Sequence, residues 1–179
     1  MKNQSFQSIC RWTFNPGQGG FVPDNIRPAW TTQKLGAVGV VGILKREIVP
    51  RIPDHIILGY ELHYDNEVNE GNAGEIVDSL LDAGIYLAMI TPGAHIHYGY
   101  GGIASLDDRE RAQAEELGRK TVDLAYGPLR KGWHGDTSGL PTLVIWNGSF
   151  GYDLASVGVQ MMYDRLKESI AGLCQYEKE

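Results

Sequence analysis

Four short apolar runs, at residues 8–14, 55–62, 85–91 and 142–145, are separated by stretches long enough for a helix. No other feature restricts the fold so strongly. Apolar runs without strict alternation belong to strands covered on both faces. A chain that alternates such strands with helices builds a parallel sheet through crossover units. The expected element order is βαβαβαβα. Each run also leads to a residue able to grip or work on a small polar molecule: Trp12, His63, the pair His95 and His97, and Trp146. In a parallel β/α barrel the carboxyl ends of the strands meet around one pocket. One such residue would mean little, because Trp and His also occur in cores. Four in phase point to a shared site.

The stretches between the strands carry their own punctuation. Residues 106–130 are charged and helical, and Ser105 with Asp108 has the spacing of a capping box. Asn72 and Glu75 have the same spacing ahead of the stripe Ile76, Val77, Leu80 and Leu81, which stops at Gly84. Glycine there is expected to close the helix in a left-handed conformation. Leu154, Val157, Met161, Leu166, Ile170 and Leu173 mark a final helix. The first helix, within residues 32–48, carries Gly36, Gly39 and Gly42. Each costs about 1 kcal/mol against Ala, which close packing on a sheet would offset. Three irregular stretches, 15–23, 92–102 and 147–152, are rich in glycine and aromatics and fall on one face of the expected sheet. Long loops in a compact domain are functional or disordered, and the aromatic content favours function.

Composition narrows the class. A chain of 179 residues with 42% hydrophobic content can bury one core, so residues 1–179 read as a single domain. The net charge of −6, with no cluster of Lys and Arg, argues against a nucleic-acid partner. Cys10 and Cys174 lie far apart with no CxxC pair, which reads as two thiols in a reducing compartment. The amino-terminal residues Met1 to Ser5 have no apolar signal core. The most nearly apolar run, residues 35–44, is too short to cross a bilayer. A cytoplasmic protein with no membrane partner is expected.

The residues at the strand ends resemble a family. Cys10-Arg11-Trp12-Thr13-Phe14, Glu61-Leu62-His63-Tyr64-Asp65, Ala88-Met89-Ile90-Thr91 and Val144-Ile145-Trp146-Asn147-Gly148-Ser149-Phe150-Gly151 look like the first four βα units of the xylose isomerase-like TIM barrels. The order and spacing match over nearly the whole chain. The resemblance implies the parallel (β/α)4 half of a TIM-type barrel and the substrate-binding half of a sugar (aldose–ketose) isomerase, an intramolecular oxidoreductase once completed. It implies that His63 is the catalytic histidine that binds the sugar ring oxygen and assists ring opening, with Asp65 beside it. Trp12 and Trp146 match the hydrophobic wall along the substrate, and Thr91 falls near a strand-three polar contact. His95, Tyr98 or Tyr100 would supply the aromatic of the strand-three loop. Phe21 matches a loop phenylalanine inserted into a neighbouring protomer, which implies a homo-oligomer.

Two departures bear on the substrate. The family places an aspartate three residues after the histidine, where this chain has Asn66. It commonly has Gly-Arg-Glu-Gly where this chain reads Gly148-Ser149-Phe150-Gly151. Another aldose, a ketose or a polyol is therefore as open as xylose. The family's chemistry is a hydride shift between C1 and C2 assisted by a divalent metal (Mg, Mn or Co). Its ligands come from strands five to eight. A closed barrel takes roughly 250 residues, so 179 supply about half, and no metal ligand is expected in this chain. Completion by a complementary half-barrel follows from the same reasoning.

Other readings stand beside this one. A non-catalytic half-barrel would bind a small ligand or assemble with another half, since open strand edges invite pairing. A zinc site on His63, His95 and His97 is another, because residues two apart on extended backbone point the same way. Against it, Trp146 stands where endonuclease-type zinc barrels place a glutamate. Each site residue also has a plain alternative: a loop histidine for His63, core packing for Trp12 and Trp146, solvated carboxylates for Glu61 and Asp65, a loop hydrophobe for Phe21. Trp133 and His134, at the opposite end of the strands, read as packing or surface residues.

Overall fold

The computed structural model describes residues 4–13, 35–135, 140–145 and 157–179. Its centre is a three-stranded parallel sheet in the order β1-β2-β3. These strands are β1 (Ser5–Cys10), β2 (Ile56–Tyr64) and β3 (Tyr86–Pro92). Among the described residues four longer helices accompany it: α1 (Ala37–Ile43), α2 (Ala73–Asp82), α3 (Asp108–Tyr126) and α4 (Val157–Tyr176). The mixed α/β class with parallel strands is the one the alternation predicts.

β2 is the central strand. Ser5 to Cys10 pair with Ile56 to Glu61, and Gly59 to Tyr64 pair with Tyr86 to Pro92. Ala88 is an extra residue on β3, between the pairs Tyr60–Leu87 and Glu61–Met89. This bulge resets the phase of β3 and brings Thr91 opposite His63. At Gly59 the aromatic ring of Phe6 lies where a side chain would stand, and a Cβ there would come within 2.9 Å of Ala88 Cβ. Only glycine lets β1 and β3 close over β2 at this point.

One face of the sheet carries the core. Leu58, Tyr60, Leu62, Leu87 and Ile90 pack with Val40, Val41 and Leu44 from the first helical segment, with Ile76, Val77 and Leu80 of α2, and with Leu124 and Leu129. Trp133 is buried in the same cluster and its Nε1 donates to the Ala125 carbonyl at 2.9 Å. His134 stacks edge-on against Tyr86, with ring centroids 4.6 Å apart. Both therefore serve packing at the amino-terminal ends of the strands.

Several local expectations shift. β1 occupies Ser5–Cys10, earlier than residues 8–14, and Arg11–Thr13 form a turn of 3-10 helix. The polar Gln7 and Ser8 are tolerated because β1 is an edge strand of the described sheet and both side chains are exposed. The first helix is short, because Leu44–Ile48 widen into a π-helical turn. Gly84 closes α2 at φ 69°, as expected. Asn72 does not cap α2 with its side chain. Its amide instead donates to the Glu67 carbonyl at 3.1 Å and accepts from Asn69 N at 2.7 Å. The cap of α3 is Asp107, whose carboxylate accepts from Arg109 N and Glu110 N. Ser105 accepts from Asp107 N at 3.1 Å and so braces the cap residue.

The fourth apolar run adds to the far edge of β3 without forming a regular strand. Ile90 N donates to Thr142 O and Val144 N to Ile90 O, both at 2.9 Å, in a parallel bridge between Ile90 and Leu143. α3 and α4 lock together beside it. Gly118 admits Leu173, whose methyl carbons would stand 2.9–3.0 Å from any Cβ there. Arg111 pairs with Glu168 at 3.1 Å and Tyr176 donates to Asp123 at 2.8 Å.

Candidate functional site

The carboxyl end of β2 folds back on itself. Glu67 N and Val68 N both donate to the His63 carbonyl, at 2.9 and 3.2 Å. This tight turn carries the Glu67 side chain back under the strand. Asn72, bonded to the Glu67 carbonyl, holds the turn from the other side. The result is a buried polar triplet. Glu67 Oε1 accepts from the Tyr60 hydroxyl at 2.6 Å, and Oε2 lies 3.4 Å from His63 Nδ1. The His63 side chain is 2% exposed and that of Glu67 0%.

The triplet is chemically asymmetric. Burial first, and then the charge and hydrogen bond of Glu67, push the Tyr60 hydroxyl far above its ordinary range. Tyr60 is therefore a permanent neutral donor. A His63 ring whose Nδ1 donates to Glu67 carries its lone pair on Nε2. Thr91 stands opposite His63 across the β2–β3 register and is buried.

Arg11 lies against this site from the 3-10 turn that follows β1. It is 7% exposed, and its Nη2 donates to Asn66 Oδ1 at 3.1 Å, beside Glu67. Its positive charge opposes the effect of Glu67 on Tyr60. The Arg11 Nε is buried and meets no hydrogen-bond partner among the described residues.

The structure separates Asp65 from His63. Asp65 is at the surface and accepts from His97 Nε2 at 2.8 Å. The carboxylate that meets the imidazole is Glu67. Glu61 is engaged elsewhere again, by the Ser8 hydroxyl at 2.5 Å. Trp12 lies in the 3-10 turn after β1 and His95 in a single helical turn, Ala94–His97. The side chains of both lie outside the described residues, as do Phe21 and Trp146 entirely. Of the remaining strand-three aromatics, Tyr98 is half-buried and Tyr100 is 77% exposed.

The described residues supply no centre for the divalent metal that the resemblance implies, whose ligands belong to strands five to eight. Among the described residues no three His, Cys, Asp or Glu side chains converge on one point. Glu61, Asp65 and Glu67 face Ser8, His97 and the Tyr60–His63 pair respectively. His63 and His97 meet different carboxylates, Glu67 and Asp65, and the side chain of His95 lies outside the described residues. No step through a metal is assigned to these side chains.

Sequence reasoning missed Tyr60, Arg11 and the contact of Glu67 with His63. Tyr60 and His63, three apart on β2, share no strand periodicity, so only the turn that returns Glu67 joins them. A separate cavity of about 220 Å3, lined by Pro92, Val122, Leu143, Ile145 and Leu173, lies between α3, α4 and the 141–145 segment. It is apolar and does not include His63. Among the described residues no helix is long and apolar enough to cross a membrane. No protein-family model matches the chain, and no curated protein matches it.

Proposed function

We propose that this chain is the substrate-binding half of an aldose–ketose isomerase of the xylose isomerase-like kind. In this reading it is a (β/α)4 half of a TIM-type barrel working in the cytoplasm. The observation that carries the reading is the buried His63–Glu67–Tyr60 triplet at the carboxyl end of the central parallel strand. A histidine held in one tautomer by a buried carboxylate is built to move a proton. Here its Nε2 accepts the proton of the C1 hydroxyl of a cyclic sugar and passes it to the ring oxygen. The bond from C1 to the ring oxygen breaks, and the C1 carbonyl forms. Glu67 stabilises the imidazolium between the two transfers, while Tyr60 keeps Glu67 in place. Trp12, Trp146 and Thr91 are the proposed walls of the sugar site, and His95 and Phe21 its proposed loop contacts. The C1-to-C2 transfer belongs to a complementary half-barrel.

Ring opening can be followed without that half. Polarimetry of freshly dissolved α-D-xylose should show faster anomerisation with the chain than with buffer. His63→Ala should remove the acceleration, and Glu67→Gln should reduce it by about tenfold or more, within the range of general acid–base effects. Ketose formation with magnesium, manganese or cobalt should require an added fragment carrying strands five to eight. Metal-dependent ketose from the chain alone would mean that a complete site forms from this half. Unchanged anomerisation in His63→Ala would remove the ring-opening role. A second reading, a non-catalytic half that assembles with another, is favoured by the half-exposed sheet face around Ser8 and Glu61.

A further inference from the structure

We infer that Arg11 is an anion-binding subsite and that the ligand is a sugar carrying a carboxylate or phosphate group. This rests on the sugar reading of the His63 site and narrows its substrate class. A guanidinium presents five N–H donors in a planar fork. Arg11 is more than nine-tenths buried, yet the described residues offer it one neutral acceptor, Asn66 Oδ1 at 3.1 Å. Its Nε is sealed from solvent without an acceptor. Among the described residues no carboxylate forms an ion pair with it, and the adjacent Glu67 has its oxygens engaged by Tyr60 and His63.

A buried cation in these surroundings is stabilised by an anion that arrives with the ligand. Carboxylate and phosphate both match the fork of Nε and one Nη, giving two parallel charge-assisted bonds. The position fits the sugar reading. Arg11 immediately follows Cys10, which pairs with Glu61 two residues before His63, so the guanidinium and the imidazole occupy neighbouring strand ends. A neutral sugar leaves Nε unpaired, and an anionic one satisfies it.

The test is equilibrium binding by calorimetry to the intact chain, using D-xylose, D-glucuronate and D-glucose 6-phosphate as probes. At least one anionic sugar should bind about tenfold more tightly than xylose, a preference in the range of one charge-assisted contact. Which of the two binds more tightly distinguishes carboxylate from phosphate. Arg11→Gln should abolish the preference by weakening the anionic sugars more than xylose. Asn66→Asp gives a second variant that keeps Arg11 paired and the fold intact. Its new carboxylate should compete for the guanidinium and also abolish the preference. Equal affinity for all three sugars in the parent chain would overturn the Arg11 subsite and leave the sugar reading standing. So would equal losses for neutral and anionic sugars in both variants, which would make Arg11 purely structural. No binding by any sugar would overturn both.

Discussion

At the scale of single residues the site turns on Glu67. Both its carboxylate oxygens meet buried partners, so deletion removes two contacts at once. Leaving a buried donor without its acceptor costs about 1–3 kcal/mol. Glu67→Ala should therefore lower unfolding stability in urea by about 3 kcal/mol. Glu67→Gln, which keeps an acceptor for Tyr60, should lose about half of that. Equal losses would mean that Tyr60 draws nothing from the interaction. Tyr60 carries a pH signature of its own. Its folded-state hydroxyl is pushed up by burial and by Glu67, while in the unfolded chain it titrates near pH 10. A raised folded pKa contributes stability that is complete below the unfolded value and is lost as pH rises above it. Above pH 10 the unfolded chain gives up this proton and the folded chain keeps it, so stability falls by about 1.4 kcal/mol per pH unit from this group. Tyr60→Phe should flatten the alkaline branch of the stability profile by about that slope. An unchanged branch would place the alkaline loss on other tyrosines.

At the scale of elements, the α3–α4 contact is set by one missing side chain. Gly118→Val would drive methyl groups into Leu173 and should cost about 1–3 kcal/mol, read as a lower thermal midpoint. Gly118→Val combined with Leu173→Ala should recover part of the loss, because the two sites share one space. The same elements show what was legible in the sequence. α2 and α3 were readable in part: the apolar stripe of α2 stops at Gly84 as expected, and the charged run 106–130 contains α3, whose cap is Asp107 where Ser105 was expected. The strands were readable as apolar runs, and the parallel order of the first three followed. What was not readable depended on tertiary context. β1 begins at Ser5 because β2 offers it a register from Ile56 onward, which no local pattern in Ser5–Cys10 reveals. The contact of Glu67 with His63 was not readable for a similar reason. Asp65 is nearer in sequence, but the turn that returns two amides to the His63 carbonyl points Glu67 inward and Asp65 out to His97.

At the scale of the whole molecule, the two faces of the sheet are unequal. One is packed under the helices through Leu58, Tyr60, Leu62 and Leu87. On the other, Phe6, Ile57 and Met89 are only half-buried, Ser8 is exposed, and Glu61 is bonded to Ser8. Parallel sheets are almost always covered on both faces, and an open edge strand invites pairing. The half-barrel reading gives that face an occupant, a complementary half that could be a second copy of the chain. Light scattering after size exclusion should then report about twice the mass of one chain at micromolar concentration, where a stable interface of standard size stays closed. Met89→Lys puts a charge into the face and should shift the protein toward the single-chain mass, because a buried unpaired charge opposes closure. Lys at Met161, exposed on α4, should not. Circular dichroism of both variants separates dissociation from unfolding. If the parent chain is monomeric at every concentration and still unfolds in one cooperative transition, the sheet needs no second half. The half-barrel assembly would then be wrong even if His63 proves to open sugars.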